Sequence, residues 1–423
     1  MELYNTLTQR KEAFQPKGDQ VSIYMCGITP YDTTHLGHAF TYTSMDVLIR
    51  YLKLLGKDVE YVQNVTDVDD DILRKARLTG EDWDSLGNRW TRHYIEDMVT
   101  LNVLPPDHLP RATDFVDQII DRVKSLLERG VAYQVGGNVY YSVDAWPDFG
   151  KLCHLPRTEM LPIANERGNY PDDPNKRDPL DFVLWQAQAP GEPGWDSPWG
   201  KGRPGWHIEC STMATELLDK QIDIHGGGAD LCFPHHEAEI AQVEPVTGKE
   251  PFARFWVHTA MVRYQGEKMS KSLGNLIWMQ YLLQRYSPDA IRLYLANHHY
   301  REPWEYDEDD LKKAEQLAHR IQQAVTIGSG QGVVLNPDVY WASFTDRMDD
   351  DLDSPGAIKV IRSFVDELIE SAQGGQDVRE AQDTLKQFGW VFGLRMDKSE
   401  PDQQVVNGWE NIREDFEESE QSA

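Results

Sequence analysis

Two histidines early in the chain, His35 and His38, flank Gly37 in the sequence HLGH. They follow a short apolar run and open a helical pattern, so backbone N–H groups and the helix dipole could bind a polyphosphate there. Much later, residues 268–272 (KMSKS) combine two lysines with two serines. These ammonium and hydroxyl groups could neutralise charge that develops on a pyrophosphate. Taken singly, surface histidines or a solvated lysine-rich loop would explain either segment.

A second group of residues has the donor atoms of a metal site. His235 and Glu239 are spaced i, i+4, which places them on one face of a helix. Cys26 ends an apolar run, and Cys210 lies far along the chain. Together the four residues offer two thiolates, an imidazole and a carboxylate, a set that suits zinc. The chain has no CxxC pair, so any such site must be assembled from distant segments.

Other residues leave alternatives open for this site. His236 could replace His235, and Glu237 could replace Glu239, although Glu237 is not one helical turn from His235. Burial as a small apolar side chain is the alternative role for each cysteine, and it is the better prediction for Cys153 and Cys232.

The composition limits the classes of protein to consider. The 423 residues have a formal net charge of −28 and are 40% hydrophobic, with a mean hydropathy of −0.58. These values indicate a soluble protein of about two or three domains. No stretch approaches the roughly 20 apolar residues of a membrane span, and residues 1–14 lack the apolar core of a signal peptide. We therefore expect a cytoplasmic protein with no membrane partner and no DNA partner, because clustered basic residues are needed to neutralise phosphates.

A strand, a loop, a helix and a second strand surround the two histidines. Residues 21–26 form a short apolar run that stops at Gly27, and residues 42–55 have apolar side chains at helical spacing. Residues 59–62 predict the second strand. This order is typical of a parallel α/β sheet, with residues 1–104 as the first half of its domain.

Residues 105–200 predict a subdomain inserted into that sheet domain. An amphipathic helical pattern covers residues 107–130, and residues 139–143 predict a strand. Glycine, proline and aspartate are dense between residues 168 and 204, around the apolar segment 181–187. Such a composition indicates long loops near the end of the insertion.

The rest of the chain predicts the second half of the sheet domain and a helical domain. In residues 201–306, strands are expected at 222–224 and 255–259, with a helix at 237–243. Residues 307–397 predict helices, with strong periodicity at 311–325 and 357–372. Residues 398–423 are polar and acidic and predict a disordered tail.

In this order, HLGH and KMSKS resemble the two signatures of class I aminoacyl-tRNA synthetases. Within that class, the chain is similar to cysteinyl-tRNA synthetases and to their paralogue, the cysteine ligase of mycothiol biosynthesis, from about residue 3 to about residue 394. The resemblance is carried by CGITPYD (26–32), QNVTDVDD (63–70), GRPGWHIECS (202–211), DIHGGGADLCFPHHEAEIAQ (223–242) and KMSKSLGN (268–275). It implies an α/β fold: a Rossmann-type parallel sheet with an inserted subdomain, followed by a C-terminal helical bundle.

The resemblance also implies an ATP-dependent ligase that forms cysteinyl-adenylate from L-cysteine and Mg²⁺-ATP. A carboxylate is already ionised at neutral pH, so this step needs positioning and charge stabilisation rather than a general base. The residues matching catalytic positions are His35, His38, Lys268 and Lys271, and those matching ATP-binding positions are Gly37, Gly226, Gly227, Gly228, Asp230, Ser270 and Ser272. Thr29, Thr66 and Trp206 match positions that bind the amino acid. A turn for the glycines and an ordinary core position for Trp206 are the alternatives.

In the family, the residues matching Cys26, Cys210, His235 and Glu239 hold Zn²⁺, and the thiolate of the substrate cysteine binds the metal. A soft ligand is thereby preferred over the hydroxyl of serine. This selection explains why no signature of an editing domain is needed.

The acceptor of the cysteine has two candidates. The acidic residues after 394 resemble no RNA-reading domain, and Pro30 and residues 166–181 (ERGNYPDDPNKRDPLD) resemble the mycothiol-type ligase. His225 and Glu239, by contrast, match the tRNA-charging form. We favour a small amine such as a glucosaminyl-inositol and keep tRNA-Cys as the alternative. A catalytically idle relative that acts as a binding protein is a third hypothesis, against which the intact motifs count.

Overall fold

One parallel sheet contains strands from both predicted halves of the sheet domain, residues 1–104 and 201–306. The structure is a computed structural model that describes residues 1–269 and 273–422, with side chains to residue 416. The strands are β1 (Glu2–Asn5), β2 (Arg10–Ala13), β3 (Gln20–Ile28), β4 (Asp58–Val65), β5 (Ala132–Val135), β6 (Asn138–Tyr141), β7 (Phe182–Ala187), β8 (Gly202–Pro204), β9 (Ile222–Gly228), β10 (Ala253–Thr259), β11 (Val262–Tyr264), β12 (Glu267–Lys268) and β13 (Trp304–Glu305). The helices are α1 (Leu36–Leu54), α2 (Asp70–Thr79), α3 (Trp83–Thr100), α4 (Val116–Glu128), α5 (Arg157–Glu166), α6 (Trp206–Leu217), α7 (Glu237–Thr247), α8 (Met279–Leu283), α9 (Pro288–Ala296), α10 (Glu308–Thr326), α11 (Asp338–Asp349), α12 (Ser354–Gln373), α13 (Arg379–Val391) and α14 (Gln403–Ser422).

The strand order β10-β9-β3-β4 confirms the expected α/β fold. All three strand pairs are parallel, and Ile23 of β3 lies opposite Ile224 of β9. From this central pair the chain proceeds outward in opposite directions, to β4 on one side and to β10 on the other. The crevice at the carboxyl ends of β3 and β9 is therefore the switch point where ligands bind in such sheets.

An antiparallel sheet of order β5-β6-β7-β8 lies between the two halves in the chain. The helix predicted for residues 107–130 is shorter than expected, since α4 begins only at Val116 after a short 3-10 turn. The preceding residues instead pair with β4, where the N–H groups of Gln63 and Val65 donate to the carbonyls of His108 and Pro110 at 3.1 and 2.8 Å. This extended segment covers an edge of the parallel sheet.

A buried charged cluster fixes α1 against the helical part of the chain. Asp46 of α1 accepts hydrogen bonds from Arg50 at 2.9 Å and from Arg292 of α9, and all three side chains are at most 2% exposed. Arg50 also donates to the carbonyl of Asn102, and Arg292 to that of Leu101, at 2.7 and 2.9 Å. Because these charges are paired and hydrogen-bonded, burial is tolerated and the position of α1 is fixed.

The C-terminal residues contradict the prediction of a disordered tail. Residues 403–422 form α14, and Val405 and Trp409 are completely buried. The indole N–H of Trp409 donates to the carbonyl of Val103 at 2.9 Å. Val405, Trp409, Ile412 and Phe416 recur at steps of four, three and four residues, an apolar stripe that the high average polarity of the segment conceals.

The described residues contain no helix that is both long enough and apolar enough to cross a lipid bilayer.

Replacing Trp409 by alanine should detach α14, because the indole supplies the buried anchor of that helix. We expect the free energy of unfolding to fall by about 3–5 kcal/mol, measured by urea denaturation. Limited proteolysis should then cut within residues 398–422. The exposed neighbour provides the control: Glu410→Ala should change neither measurement, and equal behaviour of the two variants would contradict this account.

Candidate active site and metal centre

The structure brings together the four residues predicted as metal ligands. Cys26 lies in β3, Cys210 in α6 and Glu239 in α7, while His235 lies in the kinked turn that precedes α7. Their ligating atoms all lie within 4.8 Å of one another, and each residue is buried. Strand pairing thus assembles a compact set of donors from three distant segments.

The distances within this cluster fit a four-coordinate metal ion. His235 Nε2 lies 3.2 Å from Glu239 Oε1, and Cys26 Sγ lies 3.6 Å from the same oxygen. Metal–ligand bonds of about 2.0–2.3 Å in a tetrahedron place neighbouring ligand atoms roughly 3.3–3.8 Å apart. The donor set and its spacing therefore suit one ion.

A second, overlapping set consists of Cys26, His225, His236 and Glu239. His236 Nε2 lies 3.3 Å from Cys26 Sγ, so the structure keeps His236 beside the cluster. The first set has two thiols and the second has one, and soft metal ions favour the first. Glu237 is engaged elsewhere, because its carboxylate accepts the backbone N–H groups of residues 150, 152 and 153 at 2.8–3.0 Å.

Outer contacts orient two of the four predicted ligands. His207 Nδ1 lies 2.9 Å from His235 Nδ1, and His225 Nε2 lies 2.9 Å from Glu239 Oε2. The ring of Trp206 stacks on that of His235 with centroids 4.4 Å apart. Hydrogen bonds to the remote atom of a ligating imidazole or carboxylate are the usual way in which proteins fix metal ligands.

His207 and His258 are functional candidates that the sequence interpretation missed. His258 Nε2 lies 2.8 Å from His236 Nδ1, so it supports the second histidine as His207 supports the first. Only the location of His207 inside the segment WHIEC, beside Cys210, could have indicated such a role.

Burial keeps these imidazoles neutral. Desolvation, reinforced by neighbouring histidines, lowers the pKa of His235 and His236 well below the usual range. Desolvation also lowers the pKa of His207 and of His258 to about 3. Neutral imidazoles retain the lone pair that a metal ion needs. For Cys26, burial and then the adjacent Cys210 raise the pKa, so a metal ion must displace the thiol proton.

The HLGH motif forms the N-terminus of α1. His35 is the N-cap, its Nδ1 accepts the N–H of His38 at 3.3 Å, and the two imidazole rings stack with centroids 3.7 Å apart. A Cβ atom on Gly37 would lie 3.0 Å from the ring of His35. The glycine therefore makes room for that ring over the first helical turn.

One cavity of about 420 Å³ connects this helix terminus with the metal-ligand cluster. Cys26, Cys210 and His235 line one end, and His35, Gly37 and His38 line another part. The predicted substrate-binding residues Thr29, Thr66 and Trp206 also line it. Groups predicted to bind an amino-acid side chain and a polyphosphate thus face one common space.

The remaining predicted catalytic and ATP-binding residues fall into three groups. Gly228, Asp230 and Lys268 line the cavity, and Lys268 Nζ lies 3.8 Å from Asp230 Oδ2. Gly226 and Gly227 instead pack inside the sheet, where an added Cβ would meet Met45 at 2.2 Å and His236 at 2.8 Å. Ser270, Lys271 and Ser272 lie outside the described residues.

Comparisons with known proteins agree on the class of enzyme. A sequence model of the family described as tRNA synthetases class I (C) catalytic domain matches residues 13–316. The cysteine–tRNA ligase of Dehalococcoides mccartyi is 42% identical over 407 residues, covering 95% of this chain and 88% of the relative.

Two further comparisons concern a second type of ligase and the fold. The L-cysteine:1D-myo-inositol 2-amino-2-deoxy-alpha-D-glucopyranoside ligase of Parafrankia is 47% identical over 368 residues, covering 86% of this chain and 82% of the relative. Methionyl-tRNA synthetase of Mycobacterium tuberculosis, solved with methionyl-adenylate, has a TM-score of 0.63 at 16% identity and covers 89% of this chain and 90% of its own. That structural likeness concerns the fold alone.

Replacing Cys210 by serine should remove metal from the purified protein, because a hydroxyl is a harder and weaker ligand than a thiolate. Elemental analysis should show near-stoichiometric metal in the unchanged protein and a small fraction of that in Cys210→Ser. Cys153→Ser is the matched control, since Cys153 lies outside the cluster and its thiol donates to the carbonyl of Gly150. Equal metal content in both variants would contradict the ligand assignment.

Proposed function

Because the chain belongs to the cysteinyl-tRNA synthetase family of ATP-dependent class I ligases, we propose that it adenylates L-cysteine and transfers the cysteinyl group to a small primary amine. One observation carries the first part of this proposal. A single cavity is lined by the four-residue cluster's Cys26, Cys210 and His235 and by the HLGH terminus of α1.

Selection of the amino acid is assigned to the cluster and its surroundings. Cys26, Cys210, His235 and Glu239 would hold Zn²⁺, which when bound offers a soft site for the substrate thiolate and so favours cysteine over serine. Trp206 lies stacked on His235 and closes an apolar side of the cavity. Thr66 is almost fully buried, and its hydroxyl accepts from the side-chain amide of Asn64 at 3.2 Å.

Activation of the amino acid is assigned to the other part of the cavity. The substrate carboxylate attacks the α-phosphorus of Mg²⁺-ATP, the bond to the β-phosphate oxygen breaks, and pyrophosphate leaves with that electron pair. His35, His38 and the N–H groups at the start of α1 would bind the phosphates, and Lys268 and Lys271 would stabilise the charge on the leaving group. Asp230 would accept hydrogen bonds from the ribose hydroxyls.

Transfer follows as an aminolysis of the mixed anhydride. The lone pair of the neutral amine attacks the cysteinyl carbonyl carbon, the bond from that carbon to the phosphate oxygen breaks, and AMP leaves. The nitrogen loses a proton to solvent water, and an amide forms. Support for an amine comes from the 47% identity to the glucosaminyl-inositol-type ligase and from residues 166–181, which resemble that type.

A tRNA acceptor is the second candidate, and a specific feature favours it. His225 and Glu239, the residue pair that matches the tRNA-charging form, are joined at 2.9 Å. Relatives named cysteine–tRNA ligase also match 95% of the chain. In this case the 3′-terminal hydroxyl of tRNA would take the place of the amine.

A two-step assay should separate the two acceptors. We expect ATP–pyrophosphate exchange that depends on cysteine, with serine at least about 100-fold poorer as the amino acid. Glucosaminyl-inositol and tRNA-Cys would then be offered separately, with the amide and the charged tRNA quantified by mass spectrometry and by acid precipitation. Amide formation supports the proposal, whereas efficient charging of tRNA without amide overturns the acceptor assignment. Absence of exchange would favour the catalytically idle relative.

Replacing Lys268 by alanine should slow adenylation while leaving cysteine binding nearly intact. Its ammonium is assigned to charge that develops only as pyrophosphate leaves, so kcat for exchange should fall about 10²–10³-fold, with KM for cysteine within about twofold. Lys268→Arg should recover part of the rate. Lys312→Ala, an exposed lysine of α10, is the control and should behave as the unchanged enzyme. A large rise in KM for cysteine with unchanged kcat would contradict the assigned role.

A further inference from the structure

The hydroxyl of Tyr24 is a buried polar group that has no hydrogen-bond partner among the described residues. The side chain lies in β3 and is completely buried. Leaving a buried hydroxyl unpaired costs stability, so such a group calls for an explanation, for example a partner that forms when an ion or ligand binds. Tyr24 lies two residues before Cys26, one of the predicted metal ligands. The missing partner is therefore to be sought at the metal centre.

Strand geometry places Tyr24 on the same side of the sheet as the predicted ligands. Tyr24 and Cys26 alternate with Ile23 and Met25 along β3, and residues two apart share one face of a sheet. Ile23 and Met25 pack in one part of the hydrophobic core, whereas Tyr24 and Cys26 pack in another part together with Cys210. The phenol and the donor cluster therefore occupy the same side of the sheet.

The ionisable groups that act on the Tyr24 hydroxyl belong to the donor cluster. Burial, followed by the charges of Cys210, Cys26 and Glu239, raises the pKa of the phenol well above its usual range. The hydroxyl therefore keeps its proton and can donate a hydrogen bond. Among the three residues, Cys210 has the largest effect on this pKa, which makes its sulfur the favoured acceptor.

The other three predicted ligands each have a histidine contact from outside their set. The distances are 2.9 Å for His235, 2.9 Å for Glu239 and 3.3 Å for Cys26. Contacts of this kind orient a metal ligand and adjust how strongly it donates to the metal. A hydrogen bond from Tyr24 would give Cys210, the fourth ligand, the corresponding contact.

Metal binding would make the sulfur of Cys210 a better acceptor. A thiol accepts hydrogen bonds weakly, whereas the thiolate formed when a metal ion displaces the proton accepts them strongly. Two thiolates and a carboxylate outweigh the charge of Zn²⁺, and a substrate thiolate would add to the excess. The adjacent imidazoles of His235 and His236 are neutral, because burial lowers their pKa, so they do not balance that excess. A hydrogen bond donated to a buried thiolate is then strongly favourable.

We propose that Tyr24 is a positioning residue of the metal centre, whose hydroxyl donates a hydrogen bond to the metal-bound thiolate of Cys210. This inference rests on the ligand assignment within the proposed function. The bond holds the sulfur in place and favours the thiolate over the thiol, which strengthens metal binding at neutral pH. It also reduces electron donation from that sulfur, so the metal ion accepts the substrate thiolate more readily.

The first test removes the hydroxyl and keeps the ring. In Tyr24→Phe we expect the apparent Kd of the full-length protein for Zn²⁺ at neutral pH to rise about 10–100-fold, measured by competition with a chromophoric chelator. Tyr141→Phe is the matched control and should bind as the unchanged protein does. Tyr141 of β6 is also completely buried, and its hydroxyl also lacks a hydrogen-bond partner among the residues described. Equal Kd values for the two variants would overturn the proposal.

Absorption spectra of the Co²⁺-substituted protein identify the type of atom that accepts the bond. A hydrogen bond stabilises the sulfur lone pairs, so its loss in Tyr24→Phe should move the sulfur-to-cobalt charge-transfer band to longer wavelength. The band should stay in place in Tyr141→Phe. A higher Kd with an unmoved band would mean that the hydroxyl acts on the carboxylate, which overturns the assignment to Cys210.

Cysteine-dependent pyrophosphate exchange tests the effect on the substrate. In Tyr24→Phe, KM for cysteine should rise about 10-fold, because the metal ion then accepts the substrate thiolate less readily. Both kcat and KM for ATP should stay within about twofold, since the HLGH end of the cavity is unchanged. A fall in kcat with an unchanged KM for cysteine would overturn the proposal.

The unchanged protein separates failure of this inference from failure of the proposed function. If it takes up Zn²⁺ and Co²⁺ but shows no sulfur-to-cobalt band, or binds neither ion, both the ligand assignment and the role of Tyr24 are overturned. If it shows the band, and Tyr24→Phe has the same band, Kd and KM, only the role of Tyr24 is overturned.

Discussion

The pairing of β3 with β9 is the constraint on which the active site depends. These strands belong to different halves of the chain, and their parallel register places Tyr24 opposite His225. Cys26, near the carboxyl end of β3, therefore lies beside the turn and helix that hold His235 and Glu239. A shift by one residue would turn each side chain to the other face of the sheet. The chemistry of the site thus depends on backbone hydrogen bonds that make no contact with the ligands themselves.

The cavity brings the donor cluster and the HLGH terminus of α1 into one space. A buried, soft donor cluster at one end suits recognition of sulfur, and a helix terminus with two stacked imidazoles suits phosphate binding at the other. Asp46, through Arg50 and Arg292, fixes α1, the helix that begins at the HLGH motif. Because the substrate carboxylate is already charged, such an enzyme requires rigid placement more than proton transfer. The buried ion pairs are consistent with that requirement.

Local patterns predicted the strands, the helices and the HLGH terminus, because periodicity and a glycine between two histidines are encoded in adjacent residues. The prediction of a joint metal site rested on residue types and on resemblance, since Cys26 and Cys210 have no informative spacing. The contact of His207 with His235 spans 28 residues and depends on tertiary packing, which no local pattern reports. Gly226 and Gly227 match nucleotide-contacting positions by sequence, yet their missing side chains accommodate Met45 and His236.

The C-terminal helix shows how a prediction from average composition fails. Average polarity predicted disorder for residues 398–423, while four apolar residues at helical spacing suffice to dock α14 against the body of the protein. Similarly, the predicted helix at 107–130 was too long, because its apolar periodicity begins only at Phe115. The first error came from averaging polarity over the whole segment, and the second from placing the start of the helix before its first periodic apolar residue.

The four predicted metal ligands lie far apart in the sequence, and this distance affects when the site can form during synthesis. Cys26 and Glu239 contact each other across 213 residues, with a complete antiparallel sheet formed from the chain between them. Contacts between residues so far apart in sequence form late in folding, because a long loop must close first. A nascent polypeptide therefore cannot present all four donors until the ribosome has passed Glu239, so an ion can be acquired only after more than half of the chain has been synthesised.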